Sequence, residues 1–364
     1  MFSLIRNFVP HKYMEMEKAR VIITENLEQD LALSLSECGH DRLFVLADEQ
    51  TAQCCWPVIK HFSALHEAQL ITIPASDAHK DLSSLSLVWQ TLSQSGATRH
   101  SCLINLGGGM VTDLGGFAAA TFKRGINFIN LPTTLLAMVD ASVGGKTGIN
   151  FCGLKNEVGV FRQAHATLID TIFLKTLDMP NICSGYAEML KHGLISDDET
   201  WASLLGYDLL NADPESLRTM VADSVAVKER IVEEDPLEHG IRKALNLGHT
   251  VGHAIESWAL AKGAPLLHGY AVAYGLVAEL FLSSVLAGFP SEKLHSTARF
   301  IREAYGTPNI LCDDYPALVE LMHHDKKNQG DRINFTLLAD VGNILINQDA
   351  SDSDIHDALD FLLF

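Results

Sequence analysis

Leu103-Ile104-Asn105-Leu106-Gly107-Gly108-Gly109 reads as a buried strand running straight into three glycines, and a helix of small residues follows from Asp113 to Thr121. Glycines between a strand and a helix let the backbone approach a pyrophosphate, while the helix N-terminus offers aligned N–H dipoles. The spacing differs from GxGxxG, so at this level a tight turn competes with nucleotide binding. Outward from this stretch the chain alternates in texture. β-type runs at Arg20–Thr24, Leu43–Ala47, Leu70–Pro74, Ser101–Leu106 and Phe128–Leu131 are parted by helical stretches at Leu27–Glu37, Thr51–His61 and Asp81–Ser95. Strands separated by helices predict an α/β fold with a Rossmann-like parallel sheet, helices on both faces and ligands beyond the strands' carboxyl ends.

From Met179 onward the apolar residues fall at helical spacing, and β-branched runs vanish until Ile333–Leu338. Asp178-Met179-Pro180 interrupts the pattern between the two textures. The expectation is an α/β nucleotide-binding domain over 1–178, its first 19 residues a leader, then a mostly α-helical metal- and substrate-binding domain over 179–364. A chain of 364 residues is long for one core, which favours two domains.

A formal charge of −18 argues against broad nucleic-acid binding, because phosphate backbones select basic surfaces. It leaves room for a small anionic substrate where cations gather in a cleft. The seven cysteines include no CxxC pair, which points to reduced thiols in a cytoplasmic protein. The N-terminus lacks a signal peptide's sustained apolar stretch, and no segment offers the ~18 uninterrupted apolar residues of a membrane span. Neither a membrane nor a nucleic acid is an expected partner.

A second strand–helix junction supports the glycine loop. Pro132 breaks the run Phe128–Leu131, and Thr133-Thr134 stands where a helix begins, placed to cap it or to meet a phosphate. Asp48 closes the strand Leu43–Ala47, placed either to accept ribose hydroxyls or to cap the helix near Thr51. In the second half, GYAEMLKHG puts Glu188 and Lys191 on one helix face, three apart. LNLGHTVGHA puts His249 and His253 four apart, and His268-Gly269 adds a third imidazole. A carboxylate with two imidazoles suits Zn²⁺, and Co²⁺ takes similar ligands. Spacing alone pairs His249 with His253. No Glu lies between them as in the metalloprotease motif, so which histidines bind stays open at this level.

Cations are few in this acidic chain, yet many fall within these segments: Lys123-Arg124, Lys146, Lys155, Lys191, Lys228, Arg242 and Lys326-Lys327, with Asn156 and Asn246 among them. Singly, each reads as a solvated surface charge. Together they suit a substrate bearing both a phosphate and a carboxylate.

The stretch GGGMVTDLGGFAAATFKRGINFINLPTTLLAMVDASVGGKTGIN, then GLKN, GYAEMLKHG, IRKALNLGHTVGHAIE, HGYAV and DKKN in that order, resembles the 3-dehydroquinate synthase family of sugar-phosphate cyclases. The resemblance runs from about residue 20 to the C-terminus. Residue by residue it implies Glu188, His249 and His268 as metal ligands, with His253 on the substrate side. It implies Asp48, Asp77, Lys80, Gly108, Gly109, Met110, Asp113, Thr133, Thr134, Lys155 and Thr176 around NAD. Asp140, Lys146, Lys191, Asn246 and His253 match catalytic positions, and Asn156, Lys228 and Arg242 match substrate-binding ones. Lys326 or Lys327 is implied at the phosphate, and Arg124 as an arginine supplied across a homodimer interface. Asp77 stands where the family usually has Glu, Met110 replaces a common Val, Glu157-Val158 replaces a more apolar pair, and three extra residues lie between His249 and His268.

The implied activity is the shikimate-pathway step toward aromatic amino acids, from 3-deoxy-D-arabino-heptulosonate 7-phosphate to 3-dehydroquinate plus phosphate. It runs through oxidation, phosphate elimination, reduction, ring opening and aldol closure, with NAD regenerated. Cyclases of the 2-deoxy-scyllo-inosose and 2-epi-5-epi-valiolone type, and metal-dependent polyol dehydrogenases, are the alternatives.

Overall fold

The computed structural model describes residues 20–323 and 332–363, so the leader and Lys326 and Lys327 lie outside the described residues. The strands, in chain order, are β1 (Val21–Ile23), β2 (Leu43–Asp48), β3 (Gln69–Ile73), β4 (Cys102–Gly107), β5 (Asn127–Pro132), β6 (Lys146–Phe151), β7 (Leu154–Phe161), β8 (Ala166–Ile169), β9 (Phe335–Asp340) and β10 (Asn343–Gln348). Six of them form a parallel sheet in the order β1-β8-β5-β4-β2-β3. β2 and β4 are buried along their whole lengths, which is why Leu43–Ala47 reads as an unbroken apolar run and Cys102–Leu106 as one interrupted only by Asn105, whose buried amide donates to Asn130 Oδ1 at 2.9 Å. After β3 the chain crosses back to β4, so the winding reverses between neighbours β2 and β4. Their carboxyl ends carry Asp48 and Gly107, and this is the crevice where such sheets take ligands.

The helical half is built from Met179–Leu194, Pro214–Glu234, His249–Ala261, His268–Ala287 and Ser291–Tyr305, among others. One apolar cluster runs from Leu27 and the sheet residues Val45, Ile104 and Ile129 through Leu190, Leu276 and Leu362, so both halves contribute to it. A smaller cluster, including Phe44, Leu103, Val111 and Ile149, covers the opposite face of the sheet. His268–Ala287 is long and apolar enough to cross a membrane by length and composition, yet it is a core helix with thirteen buried residues.

Two local expectations change and one element is added. Thr51–His61 is two short helices, Glu49–Cys54 and Trp56–Ile59; Pro57 lies in the first turn of the second, where its missing N–H costs nothing. The helix after the glycines begins at Gly109 rather than Asp113. Lys146–Phe161, a stretch to which the sequence patterns assign no element, is the antiparallel hairpin β6–β7; it leaves Phe151, Leu154, Val158, Val160 and Phe161 exposed.

Candidate active site

Glu188 sits on the inward face of Met179–Leu194 with no solvent exposure. The helix forms there because Asp178 caps it and Pro180 occupies its first turn, where no N–H is required. Two further helices deliver imidazoles at their first residues. His249 Nε2 lies 3.5 Å from Glu188 Oε1, and His268 Nε2 lies 3.4 Å from the same oxygen. The ligand atoms of the three residues all fall within 4.8 Å of one another. Neither Glu188 oxygen accepts a hydrogen bond of normal geometry, although the Lys191 ammonium forms an ion pair with Oε2. Both rings are steadied from behind. Leu247 O can only accept, so His249 Nδ1, at 3.0 Å, must donate, which fixes the ring with Nε2 toward Glu188. His268 Nδ1 lies 3.5 Å from Glu256 Oε2. A buried carboxylate whose oxygens accept no hydrogen bond, facing two oriented imidazoles, fits a divalent cation.

The electrostatics agree. Burial would raise the Glu188 carboxyl, but Lys191, His249 and His268 hold it well below the usual carboxylate range. Burial would lower His268, but Glu188 and Glu256 raise it to about 10, so a proton resides where a cation would satisfy the same carboxylates.

Beyond β5, Thr134 Oγ1 accepts from Ala137 N at 3.1 Å and starts a single π-turn, Ala137–Ala141. Such turns recur at functional sites, and this one projects Asp140 toward the metal cluster. Asp140, Glu188 and His192 place their ligand atoms within 4.8 Å of one another. Lys228 Nζ donates to Asp140 O at 2.6 Å and pairs with its carboxylate. Burial would raise Asp140, but the Lys228 ammonium outweighs it and keeps the carboxyl low. His192 is fully buried, its Nδ1 2.7 Å from Ser224 Oγ; burial, then Lys191, lowers it to about 3, so the ring is neutral. The His253 ring centroid is 5.2 Å from that of His249 and 5.9 Å from that of His268.

On the sheet side, Lys80 is buried between Asp113 at 3.1 Å and Asp77 at 3.4 Å. Burial raises Asp113 to about 6 against the pull of Lys80, and Lys80 and Lys155 lower Asp77 against its burial. Asp48 Oδ1 accepts from Thr51 N at 2.8 Å, so the capping use is realised. Thr133 Oγ1 is buried with no hydrogen-bond partner, a group left for a ligand. Cys55 adjoins both Thr133 and Thr176, bringing Thr176 to this crevice. The half-buried Met110 belongs to the first turn of the helix after Gly108-Gly109. The two sides meet through Lys155, whose Nζ lies 2.8 Å from Glu256 Oε1 and 3.5 Å from Asp77 Oδ2.

Other expected residues find their partners outside the Glu188, His249 and His268 set. Lys146 pairs with Glu238, which also accepts from Asn246 Nδ2 at 3.1 Å. Arg242 is buried and donates to Pro236 O at 2.6 Å and Gly144 O at 3.2 Å. Asn156 is exposed on β7, its N–H bonded to Asn150 Oδ1 at 3.0 Å, and Arg124 is exposed in a left-handed turn at φ 69°. Sequence reasoning missed Glu238, Glu256 and Glu279. Glu256 was accessible, because His249, His253 and Glu256 share one helical face at i, i+4 and i+7. Glu238 carries φ 63°, a conformation no sequence pattern signalled.

Two family profiles match the chain: "3-dehydroquinate synthase N-terminal" over residues 70–184 and "3-dehydroquinate synthase C-terminal" over 185–328. The 3-dehydroquinate synthase of Parabacteroides distasonis is 53% identical over 346 residues, 95% of this chain and 98% of its own. Two solved structures share the fold with TM-scores of 0.82. One is a 2-deoxy-scyllo-inosose synthase complexed with carbaglucose-6-phosphate, NAD⁺ and Co²⁺, at 21% identity and covering 93% of this chain and 95% of that one. The other is the 2-epi-5-epi-valiolone synthase of Streptomyces hygroscopicus subsp. jinggangensis with NAD⁺ and Zn²⁺ bound, at 24% identity and 94% and 96% coverage.

Proposed function

Because the chain belongs to the 3-dehydroquinate synthase family, we propose a division of labour among its residues for that family's reaction. The enzyme converts 3-deoxy-D-arabino-heptulosonate 7-phosphate to 3-dehydroquinate and phosphate in the shikimate pathway, with NAD and one divalent cation, Zn²⁺ or Co²⁺. One observation carries the assignment of roles: a fully buried Glu188 whose oxygens accept no hydrogen bond faces the Nε2 atoms of His249 and His268. These three residues hold the cation.

When bound, NAD supplies the hydride acceptor and the cation polarises substrate oxygens. The protein's own groups do the rest. Gly108, Gly109 and Thr134 border the cofactor crevice, and Thr133 offers its buried hydroxyl to it. Lys80 holds Asp77 and Asp113 in register for the cofactor, with Met110 and Thr176 beside it. Lys191 and Lys228 are fixed, desolvated cations that orient the substrate's anionic groups, and Asp140 sets the position of Lys228. Lys326 or Lys327 serves the phosphate. Asn246 and His253 handle protons in the later steps, with Lys146, Asn156 and Arg242 lining the substrate side.

Phosphate release from the heptulosonate phosphate is expected to stop on chelation and to return with Zn²⁺ or Co²⁺, with no net NADH at any stage. Preferred turnover of glucose 6-phosphate or sedoheptulose 7-phosphate would shift the reading to a cyclase of the other types, and accumulating NADH would shift it to a polyol dehydrogenase.

The enzyme works in the cytoplasm as a homodimer, with Arg124 reaching across the interface. The exposed apolar side chains of β6–β7 support a second copy as their cover, since an apolar patch of this kind marks an interaction surface. Val160→Asp is accordingly expected to convert the dimer to monomer in sedimentation velocity; an unchanged sedimentation coefficient would move the interface elsewhere.

A further inference from the structure

The helix that begins at His249 has an unusual start. Its N-cap is Gly248, left-handed at φ 77°, with no side-chain cap. A Cβ at Gly248 would stand 2.8 Å from Leu276 Cδ2, so the usual capping residues Ser, Asp and Asn are excluded on both counts. The missing cap is supplied from 31 residues away. Glu279, fully buried three turns along His268–Ala287, accepts from Gly248 N at 2.6 Å (Oε2), Thr250 N at 2.9 Å and Val251 N at 3.1 Å (both Oε1).

The first of these bonds does more than cap. Gly248 N–H and Leu247 C=O are the two ends of one peptide group. Glu279 takes the N–H end, and the C=O end accepts from His249 Nδ1 at 3.0 Å. A carboxylate on the N–H side pushes electron density toward the carbonyl and strengthens it as an acceptor; hydrogen bonds in such chains polarise one another. We propose that Glu279 is a positioning residue for the metal ligand His249, acting through the Leu247–Gly248 peptide as a carboxylate–peptide–imidazole relay. His268 has its carboxylate directly behind it, in Glu256. His249 has one at one peptide's remove. The relay fixes the Nδ1–H tautomer, orients the ring toward Glu188 and makes Nε2 a better donor to the cation, which is the work a carboxylate does behind a metal-bound histidine. It also accounts for a buried charge in a helix otherwise suited to apolar packing.

The inference rests on His249 being a ligand, so its test separates the two claims. Zinc affinity is measured by competition with a chromophoric chelator for the wild type, His249→Ala and Glu279→Gln, alongside the melting temperature of each metal-free protein and the d–d spectrum of its cobalt form. Glu279→Gln keeps the shape but exchanges an acceptor for a donor. It is expected to bind zinc about 10- to 100-fold more weakly and to shift the cobalt bands. A lower metal-free melting temperature with unchanged zinc affinity and unchanged cobalt bands would reduce Glu279 to a helix cap and overturn the relay. Zinc binding by His249→Ala as tight as wild type would instead overturn the ligand assignment. Wild-type protein labelled with ¹⁵N-glycine gives a readout independent of any variant's folding: the Gly248 amide resonance is expected to move as zinc is titrated, and a stationary one overturns the relay.

Discussion

Glu188→Gln is expected to lower kcat/KM by about 10⁴-fold or more, roughly 5 kcal/mol of transition-state stabilisation, and to weaken zinc binding by several orders of magnitude. The size follows from what the carboxylate does. It is the anionic member of the Glu188, His249 and His268 set, and both imidazole Nε2 atoms approach its Oε1. Gln keeps the volume but removes the charge that would neutralise a divalent cation in a buried site. The variant also strands Lys191, which is 1% exposed and ion-paired with Glu188. Breaking one partner of a buried pair costs about 3–5 kcal/mol, so loss of fold could be mistaken for loss of chemistry. The pair Glu188→Gln and Glu188→Gln/Lys191→Met separates them. Removing the orphaned ammonium is expected to restore much of the melting temperature while activity and zinc affinity stay lost. Recovery of zinc affinity together with stability would show that Glu188 serves Lys191 rather than the cation.

The parallel sheet was legible because its central strands are covered on both faces and therefore read as short, mainly apolar runs, broken only by the paired Asn105 and Asn130 and bounded by turn residues. The hairpin β6–β7 was not. Its sequence, KTGINFCGLKNEVGVF, carries Gly148, Gly153 and Gly159 and exposes one entire strand, so neither alternation nor a core face signals it. At the site, spacing within one helix favoured His249 with His253, because i and i+4 share a face. The cluster depends on a relation between helices: His268 starts a different helix, and only the packing of that helix against Met179–Leu194 brings its Nε2 to Glu188. Resemblance to the cyclase family named Glu188, His249 and His268 together where periodicity left them open. Of the supporting carboxylates, Glu256 shares a helical face with His249 and His253, whereas Glu238 and Glu279 act through tertiary contacts on Lys146 and on the Gly248 N–H, and no local pattern distinguishes these two from surface acids.

That dependence on helix packing sets up the second large effect, at Gly269. Its N–H donates to Ser184 Oγ at 3.0 Å, one turn before Glu188 on the neighbouring helix. A Cβ on Gly269 would lie 1.9 Å from Ser184 O and 2.5 Å from Ser184 C and Cα. These are backbone atoms inside a helix, so no side-chain rotation relieves the clash and the two helices must separate by more than 1 Å. Gly269→Ala is therefore expected to destabilise the fold by about 3 kcal/mol or more, the upper range for overpacking, despite the better helix propensity of Ala. The same wedge would carry His268 away from Glu188, so zinc affinity is expected to fall with stability, by at least tenfold. Gly275→Ala applies a comparable wedge at another face of the helix, where a Cβ would lie 1.9 Å from Gly248 O, and it should part His268 from His249 instead. Gly206→Ala serves as the control, since a Cβ there meets nothing within 4 Å. Thermal melts and chelator competition on the three variants decide the matter. A Gly269→Ala protein that melts and binds zinc like Gly206→Ala would mean the helices tolerate separation, and that the geometry around Glu188 is not held by this contact.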